Sequence, residues 1–115
     1  MKFGIAHLND NFHDWERHLG GSFGSGPATP DYQIMQESFQ ITDLAEKLGF
    51  DSVWSPEHHY DPYCMAPDCL QLLSYYAGRH QKLGVASMVV VLPWHDPLRV
   101  AEELALLDIM MDGRD

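Results

Sequence analysis

Apolar residues follow two different spacings along this chain, and the alternation between them predicts its secondary structure. Strand-like apolar segments cover residues 2–8, 51–55 and 85–92. Apolar residues recur at helical spacing, which predicts amphipathic helices, over residues 31–48, about 67–82 and 96–113. The third strand segment, VASMVVVL, is apolar without alternation, as in a parallel strand buried on both faces, although a buried helical segment has the same pattern.

Polar residues, prolines and glycines mark the predicted helix ends. Asp31 and Asp96 are placed to cap the first and third helices, and Pro67 stands beside Asp68 in the first turn of the second. Gly49 supplies the left-handed residue that ends the first helix. These signals agree with the hydrophobic pattern on where each helix lies.

Residues 9–31 separate the first strand from the first helix and are predicted to form one long loop. Their second half, GGSFGSGPATPD, holds four glycines and two prolines, which disfavour regular structure. Long loops inside compact domains are often functional. We therefore expect this loop to form a lid or a wall of a substrate pocket.

The predicted order β-α-β-α-β-α is typical of an α/β fold with a parallel sheet and right-handed crossovers. An open doubly wound sheet and part of a barrel both satisfy it. No glycine fingerprint of the dinucleotide-binding kind follows any strand, so the barrel is favoured. Three βα units make up only part of the eight that a TIM-type barrel needs.

Composition limits the classes of partner. The 115 residues suit one domain, and 17 acidic against 7 basic residues give a formal net charge of −10. This charge repels nucleic acid and anionic membrane surfaces. No apolar segment resembles a membrane span or a signal peptide. The only two cysteines, Cys64 and Cys69, form no disulfide framework, so we expect a cytoplasmic protein in which both are core or pocket thiols.

Titratable side chains gather where the second strand ends. The segment FDSVWSPEHHY leads from the strand into Glu57, His58 and His59. In α/β barrels the reaction takes place at the carboxyl ends of the strands. His95, in the segment PWHD, follows the third strand and is therefore expected at the same end of the sheet. Because histidine exchanges protons near neutral pH, we predict His58 as a general base, with Glu57 beside it. The alternative for each imidazole is a plain hydrogen bond to the loop backbone.

Metal binding is the rival chemistry at this segment, because carboxylate, imidazole and thiol groups are all close by in sequence. Adjacent histidines on an extended backbone point to opposite sides, and no spacing typical of paired metal ligands occurs. We therefore expect no metal site. The sequence gives no neighbouring chemistry to the remaining histidines, and we assign no function to His7, His13, His18 and His80.

Two blocks in fixed order, AEKLGFDSVWSPEHH and LGVASMVVVLPWHDPLRVAEELALLDIMMDGR, resemble the luciferase-like flavin-dependent monooxygenases, the family of bacterial luciferase and its F420-dependent relatives. The resemblance covers nearly the whole chain, including the opening MKFG. It implies the N-terminal part, (βα)3, of a TIM-type (β/α)8 barrel whose later strands hold the flavin phosphate. It also implies that reduced flavin reacts there with O2 and an organic substrate.

The resemblance assigns roles to individual residues. It implies that His58 is the catalytic base and that Glu57 and His59 flank it, with Glu57 among the cofactor-binding residues. It implies a non-prolyl cis peptide at Met88 and Val89, against which the flavin ring packs. Both residues are larger than the small pair in luciferase.

The resemblance leaves the cofactor and the partners open in part. FMN, possibly supplied in reduced form by a separate flavin reductase, is the expected cofactor, with F420 as the alternative. A homo-oligomer is expected, since a three-stranded piece has two open strand edges. The competing functions are a metal-dependent barrel hydrolase and a non-catalytic luciferase-like subunit, and the presence of His58 speaks against the latter.

Overall fold

The computed structural model of the protein describes residues 1–21, 26 and 29–114. The elements, in chain order, are strand β1 (Gly4–Ala6), helix α1 (Trp15–Leu19), helix α2 (Asp31–Leu48), strand β2 (Ser52–Ser55), helix α3 (Cys69–Arg79), strand β3 (Gly84–Ser87) and helix α4 (Pro97–Met111). Single turns of 3₁₀ helix lie at Phe12–Asp14 and Leu92–Trp94. The predicted alternation of strands with three long helices is confirmed.

The three strands form one parallel sheet in the order β1-β2-β3. In the middle row, Val53 pairs in register with Ile5 on one side and Val85 on the other. Val53 is fully buried, and its two neighbours pack against the same core cluster. Parallel pairing with helical crossovers confirms the predicted α/β class.

The hydrophobic core lies between this row of the sheet and the helices. Leu73 and Tyr76 on α3 pack with Val100 and Leu107 on α4. Helix α2 joins through Phe39, whose ring centroid lies 4.6 Å from that of Tyr75. On α3 the helical spacing of apolar residues therefore marks the buried face.

On α2 and α4 the apolar spacing marks the buried face only in part. Ile41, Leu44 and Leu48 on α2 are exposed, whereas the polar Ser38 and Thr42 are buried. Leu98 and Leu104 on α4 are exposed as well.

The opposite face of the sheet carries one large side chain, Trp54, among small ones. A Cβ added at Gly4 would lie 2.5 Å from Trp54 Nε1, so glycine leaves room for the indole. The indole N–H donates to Ser52 Oγ across 2.9 Å. Among the described residues this face and both sheet edges are uncovered, and Trp54 is exposed.

The strands are shorter than the sequence predicts. The predicted third strand, 85–92, stops as a strand at Ser87, the peptide bond between Met88 and Val89 is cis, and a 3₁₀ turn follows at Leu92–Trp94. Residues 88–92 are apolar, yet Val89 and Leu92 are exposed, so hydrophobicity alone does not show where the strand ends.

The loop predicted over residues 9–31 also needs correction, because it contains the 3₁₀ turn at Phe12–Asp14 and helix α1. The glycine-rich half of that prediction falls mainly on residues 22–25 and 27–28, which lie outside the described residues. The local polar pattern around Trp15 is too short to show helical periodicity.

Of the two predicted N-caps, Asp96 is present and Asp31 is wrong. Asp96 accepts backbone N–H groups of the following turn. Asp68, predicted inside the first turn of the second helix together with Pro67, is instead the N-cap of α3, which begins at Cys69. Gly49 has a φ of 83° and ends α2 as predicted. Asp31, however, is the first residue of α2 and does not cap it; Asn11 Nδ2 donates to Asp31 Oδ1 across 2.7 Å. Helix α3 ends at Arg79, three residues before its predicted end.

None of the helices in the described ranges has the length and apolar content needed to cross a membrane.

Candidate functional site

The carboxyl ends of the three parallel strands meet at one edge of the sheet, hereafter the rim. The loops after β1, β2 and β3 all start at this edge. They carry the polar segments that the sequence singles out, Glu57 to His59 and Pro93 to Asp96. The prediction that these segments share one side of the sheet is confirmed.

Glu57 is the centre of the rim. Its side chain is 0% exposed although it follows β2 by only two residues. The Val91 N–H donates to Oε2 across 3.0 Å, and His95 Nε2 lies 2.9 Å from both oxygens. His59 Nε2 adds a bond of 3.0 Å to Oε1. One buried carboxylate therefore joins the loops after β2 and β3.

The electrostatics of this cluster favour an ionised Glu57. Burial by itself raises the pKa of the carboxyl group, but bonds from the Val91 N–H, His59 and His95 outweigh it, so the Glu57 pKa is lowered overall. Three donors around one carboxylate satisfy most of its lone pairs. These hydrogen bonds stabilise the negative charge of the buried Glu57 carboxylate.

His59 points toward this cluster. Its ring stacks on Trp94 with centroids 4.5 Å apart and an interplanar angle of 14°. With one edge on Glu57 and one face on the indole, the imidazole is held on two sides. The sequence gives no sign of the Trp94 contact, because the two residues come from different loops.

His58 points the other way, and its side chain is 46% exposed. Its Nδ1 lies 3.9 Å from Asp61 Oδ2, and its ring meets Tyr63 edge-on at 5.0 Å. Its backbone N–H donates to Ala66 O across 3.1 Å. Of the three adjacent residues Glu57, His58 and His59, His58 is the one whose side chain faces outward.

An open cavity of about 310 Å³ lies beside His58. Its walls come from the loops after β1 and β2, and the polar lining residues are Asp14, Arg17, His18, Asp31, His58, Tyr60 and Asp61. Arg17 is paired with Asp14 in this wall. The described part of the loop after β1 therefore lines one wall of this cavity.

Met88 and Val89 lie at the end of β3 and do not line this cavity. Met88 N–H donates to Ser55 O across 2.9 Å, which continues the pairing by one residue. Val89 is 63% exposed, and its carbonyl oxygen lies 3.9 Å from Cys69 Sγ. The cis peptide expected between these two residues is present. Val89, Leu92 and Trp94 are exposed apolar residues of this segment, and together with Met88 they are hereafter called the shelf.

Both cysteines are free and buried, as predicted. Burial, together with the charges of Glu57 and Asp68, raises the pKa of the Cys69 thiol to about 11. Burial also raises the pKa of Cys64. Neither thiol has the low pKa of a nucleophile.

His80, for which the sequence shows no chemical neighbour, is buried far from the rim at the end of α3. Its Nδ1 lies 3.3 Å from Glu46 Oε2. Within the described ranges, no group of three or more histidine, cysteine or acidic residues is arranged to hold a metal ion.

A sequence model described as luciferase-like monooxygenase matches residues 1–114 of this chain. The chain belongs to the luciferase-like monooxygenase family. The resemblance inferred from the two sequence blocks is thereby confirmed.

Relatives within the luciferase-like monooxygenase family include enzymes and solved structures. An alkanal monooxygenase alpha chain of Photorhabdus luminescens is 33% identical over 88 residues, which cover 76% of this chain and 24% of that protein. The monooxygenase RslO1 of Streptomyces bottropensis superposes with a TM-score of 0.76 at 28% identity, over 99% of this chain and 31% of that one.

A third comparison is the oxygenating constituent of 3,6-diketocamphane monooxygenase of Pseudomonas putida, solved in complex with FMN. It superposes with a TM-score of 0.72 at 21% identity and shows the same fold over 99% of this chain and 28% of that one. The 115-residue chain thus spans about a quarter to a third of the length of the proteins that it matches.

Proposed function

We propose that these 115 residues are the N-terminal (βα)3 segment of a single TIM-type barrel domain in a flavin-dependent monooxygenase. The observation that carries the proposal is that two kinds of residue occur together at the rim of a chain that belongs to this family. An outward-facing imidazole, His58, and an exposed apolar shelf at Val89 occur on the same edge of the sheet. A flavin needs both an apolar surface for its ring and a proton-exchanging group near its polar edge.

The residues present fit such a cofactor. Met88 and Val89 would contact the flat ring, and Glu57 would support them from behind through the Val91 N–H. The exposed apolar residues are otherwise unexplained on a loop. We propose FMN over F420, supported by the FMN complex of the camphane monooxygenase component. The groups that hold its phosphate would come from later strands of the barrel.

When bound, the reduced flavin supplies the electrons with which O2 is activated for oxygenation of an organic substrate. The protein's own contribution begins at His58, which would accept or return a proton at the reacting group. Its exposure lets the ring reach a ligand, and Asp61 Oδ2 lies 3.9 Å from its Nδ1. The cavity beside His58 would receive the substrate.

Partners follow from the same proposal. The camphane enzyme is described as an oxygenating constituent, and we propose that a separate flavin reductase likewise serves this protein. The two sheet edges would pair with later strands in the complete barrel, so the homo-oligomer is supported by the exposed apolar residues of α4, including Leu98 and Ile109. Two buried free thiols support a reducing compartment, the cytoplasm.

The experiment uses the full-length protein, meaning the complete barrel of which these residues are proposed to be the N-terminal segment. Reduced FMN is bound to it under anaerobic conditions, and O2 is then admitted. Tight binding of reduced FMN and O2 consumption that depends on the protein are the expected results. Absence of flavin binding, together with stoichiometric zinc or iron in the purified protein, would favour the metal-dependent hydrolase. Flavin binding without any effect on O2 consumption would favour a non-catalytic subunit.

A further inference from the structure

We propose that Glu57 is a positioning residue, which ties the loop after β2 to the loop after β3. The first of these loops carries the candidate base, and the second carries the shelf. The inference rests on the proposed function, and it adds that one buried carboxylate, together with the His59–Trp94 stack, sets the distance and angle between base and shelf.

The first argument is that the Glu57 carboxylate is fully engaged inside the protein. Its side chain is 0% exposed, and both oxygens have partners within 3.0 Å. A ligand could bond to these oxygens only by displacing an internal donor. Bonds between a carboxylate and N–H donors are short and strong, so they hold the two loops at a fixed separation.

The second argument concerns what else joins the two loops. Sheet pairing between β2 and β3 ends with the Met88 N–H on Ser55 O, which is the last backbone bond that the described residues show between these segments. Beyond it, Glu57 bonds to the second loop through the Val91 N–H at 3.0 Å and His95 Nε2 at 2.9 Å. The stack of His59 on Trp94 is a second link. Cys69 Sγ is a third, 4.0 Å from Glu57 Oε2 and 3.9 Å from the Val89 carbonyl oxygen. The shelf thus lies between two fixed points.

The third argument concerns the direction of His58. Side chains alternate along an extended segment, so Glu57 and His59 share one side and His58 takes the other. Both inward residues are fixed, Glu57 by its donors and His59 by the stack on Trp94. Holding these two inward holds the imidazole of His58 outward.

Glu57→Gln is the matched variant, because glutamine has the same size but offers one acceptor oxygen and a donating NH2 group. Either the Val91 N–H would then lose its acceptor, or the NH2 group would face the imidazole nitrogens of His59 and His95, which would have to change from donors to acceptors. His95→Ala removes one partner and leaves Val91 and His59 in place. Glu102→Gln, an exposed carboxylate on α4, is the control.

The test uses the full-length protein and two measurements. Hydrogen exchange at the Val91 amide, measured without flavin, reports directly on its hydrogen bond to the Glu57 carboxylate. Fluorescence titration with FMN reports its consequence at the shelf. We expect Val91 exchange to be about tenfold faster or more in Glu57→Gln. We expect FMN affinity to fall about ten- to hundredfold, the range found for groups that orient the ligands of metal sites.

The effects of Glu57→Gln and His95→Ala on FMN affinity should be non-additive in the double variant, since the two residues act through one contact. Glu102→Gln should change neither measurement. Unchanged Val91 exchange in Glu57→Gln would overturn the tie, and faster exchange with unchanged FMN affinity would overturn its positioning role. Failure of the unsubstituted protein to bind FMN would instead contradict the proposed function, and that outcome is recognised before any variant is made.

Discussion

His95 Nε2 lies 2.9 Å from both carboxylate oxygens of Glu57, although the two residues are 38 positions apart in the sequence. The contact brings together the ends of two neighbouring strands. It also places a negative charge inside the rim, where burial would disfavour it without partners. Stability and pH response should therefore both depend on this pair.

The acid sensitivity of folding tests the charge on Glu57. Glu57→Gln should lower the free energy of unfolding at pH 7 by about 2 kcal/mol, the usual range for losing a hydrogen bond to a charged group. Because the folded-state pKa of Glu57 is lowered, its stabilisation is complete above the unfolded pKa of about 4.3 and is lost as pH falls through the lower folded value.

Urea unfolding of both proteins between neutral and acid pH measures the difference. The gap between them should be constant near neutrality and close as the solution becomes acid. A gap that stays the same through the acid range would show that Glu57 is not ionised in the folded protein.

Loss of the outward imidazole should affect chemistry more than binding. In the full-length protein, His58→Ala should reduce oxygenation by about two to four orders of magnitude, the usual contribution of general acid–base catalysis. Binding of reduced FMN should stay within about tenfold, because the shelf is unchanged. Rapid-mixing kinetics with O2 and product assays separate the two quantities.

His13→Ala is the matched control, since His13 is exposed and does not line the cavity beside His58. It should leave both quantities unchanged. His80 is unsuitable as a control because it is buried against Glu46. Equal oxygenation by the His58→Ala variant and the unsubstituted protein would remove this residue from the mechanism.

The sequence predicts the order of elements well, since helical spacing and apolar runs are local properties. It also locates the segment from Glu57 to His59 at a strand end. It does not predict what depends on distant partners. Asp31 has the sequence position of a cap, yet its carboxylate is taken by Asn11, 20 residues away.

The different roles of the candidate site residues also depend in part on contacts between residues that are distant in the sequence. Alternation along the backbone separates His58 from its neighbours and was accessible from the sequence. The parts played by Trp94 and His95 follow from how the third strand ends, and hydrophobicity does not show where that strand stops. Long-range register therefore decides most of what sequence reasoning missed.

Tyr76 offers a test of the core. Its hydroxyl is buried and has no hydrogen-bond partner among the described residues. Burial, followed by the neighbouring Tyr75, raises its pKa to about 12. An unpartnered buried hydroxyl costs about 1–3 kcal/mol, so Tyr76→Phe should leave the free energy of unfolding unchanged or raise it by up to that amount.

The control for this substitution is Tyr75→Phe, which removes the hydroxyl that accepts from Arg79 Nη1 at 3.0 Å. It should destabilise slightly, by less than about 1 kcal/mol, because the bond is exposed. Urea unfolding measures both variants. Clear destabilisation by Tyr76→Phe would mean that the hydroxyl has a partner in the folded protein.

The cysteines provide a test that needs no variant. Cys64 and Cys69 are buried, and both thiol pKa values are raised, to about 11 for Cys69. The thiolate is the reactive form, so both should react with a disulfide reagent far more slowly than a free thiol at pH 8. Full reactivity should return in denaturant. Rapid labelling of either residue in the native protein would contradict the described burial.

The most direct measurement of the central claim, that a flavin packs on the shelf at the rim, is FMN affinity in the full-length Val89→Asp variant. Val89 is 63% exposed, so the substitution should not impair folding, yet it places a charge against the ring. Leu48→Asp, at a 67% exposed position at the far end of α2, is the control. Fluorescence titration should show FMN binding reduced about hundredfold or more by Val89→Asp, as expected from about 3 kcal/mol of unfavourable burial, and unchanged by Leu48→Asp. Equal affinity in all three proteins would contradict the account.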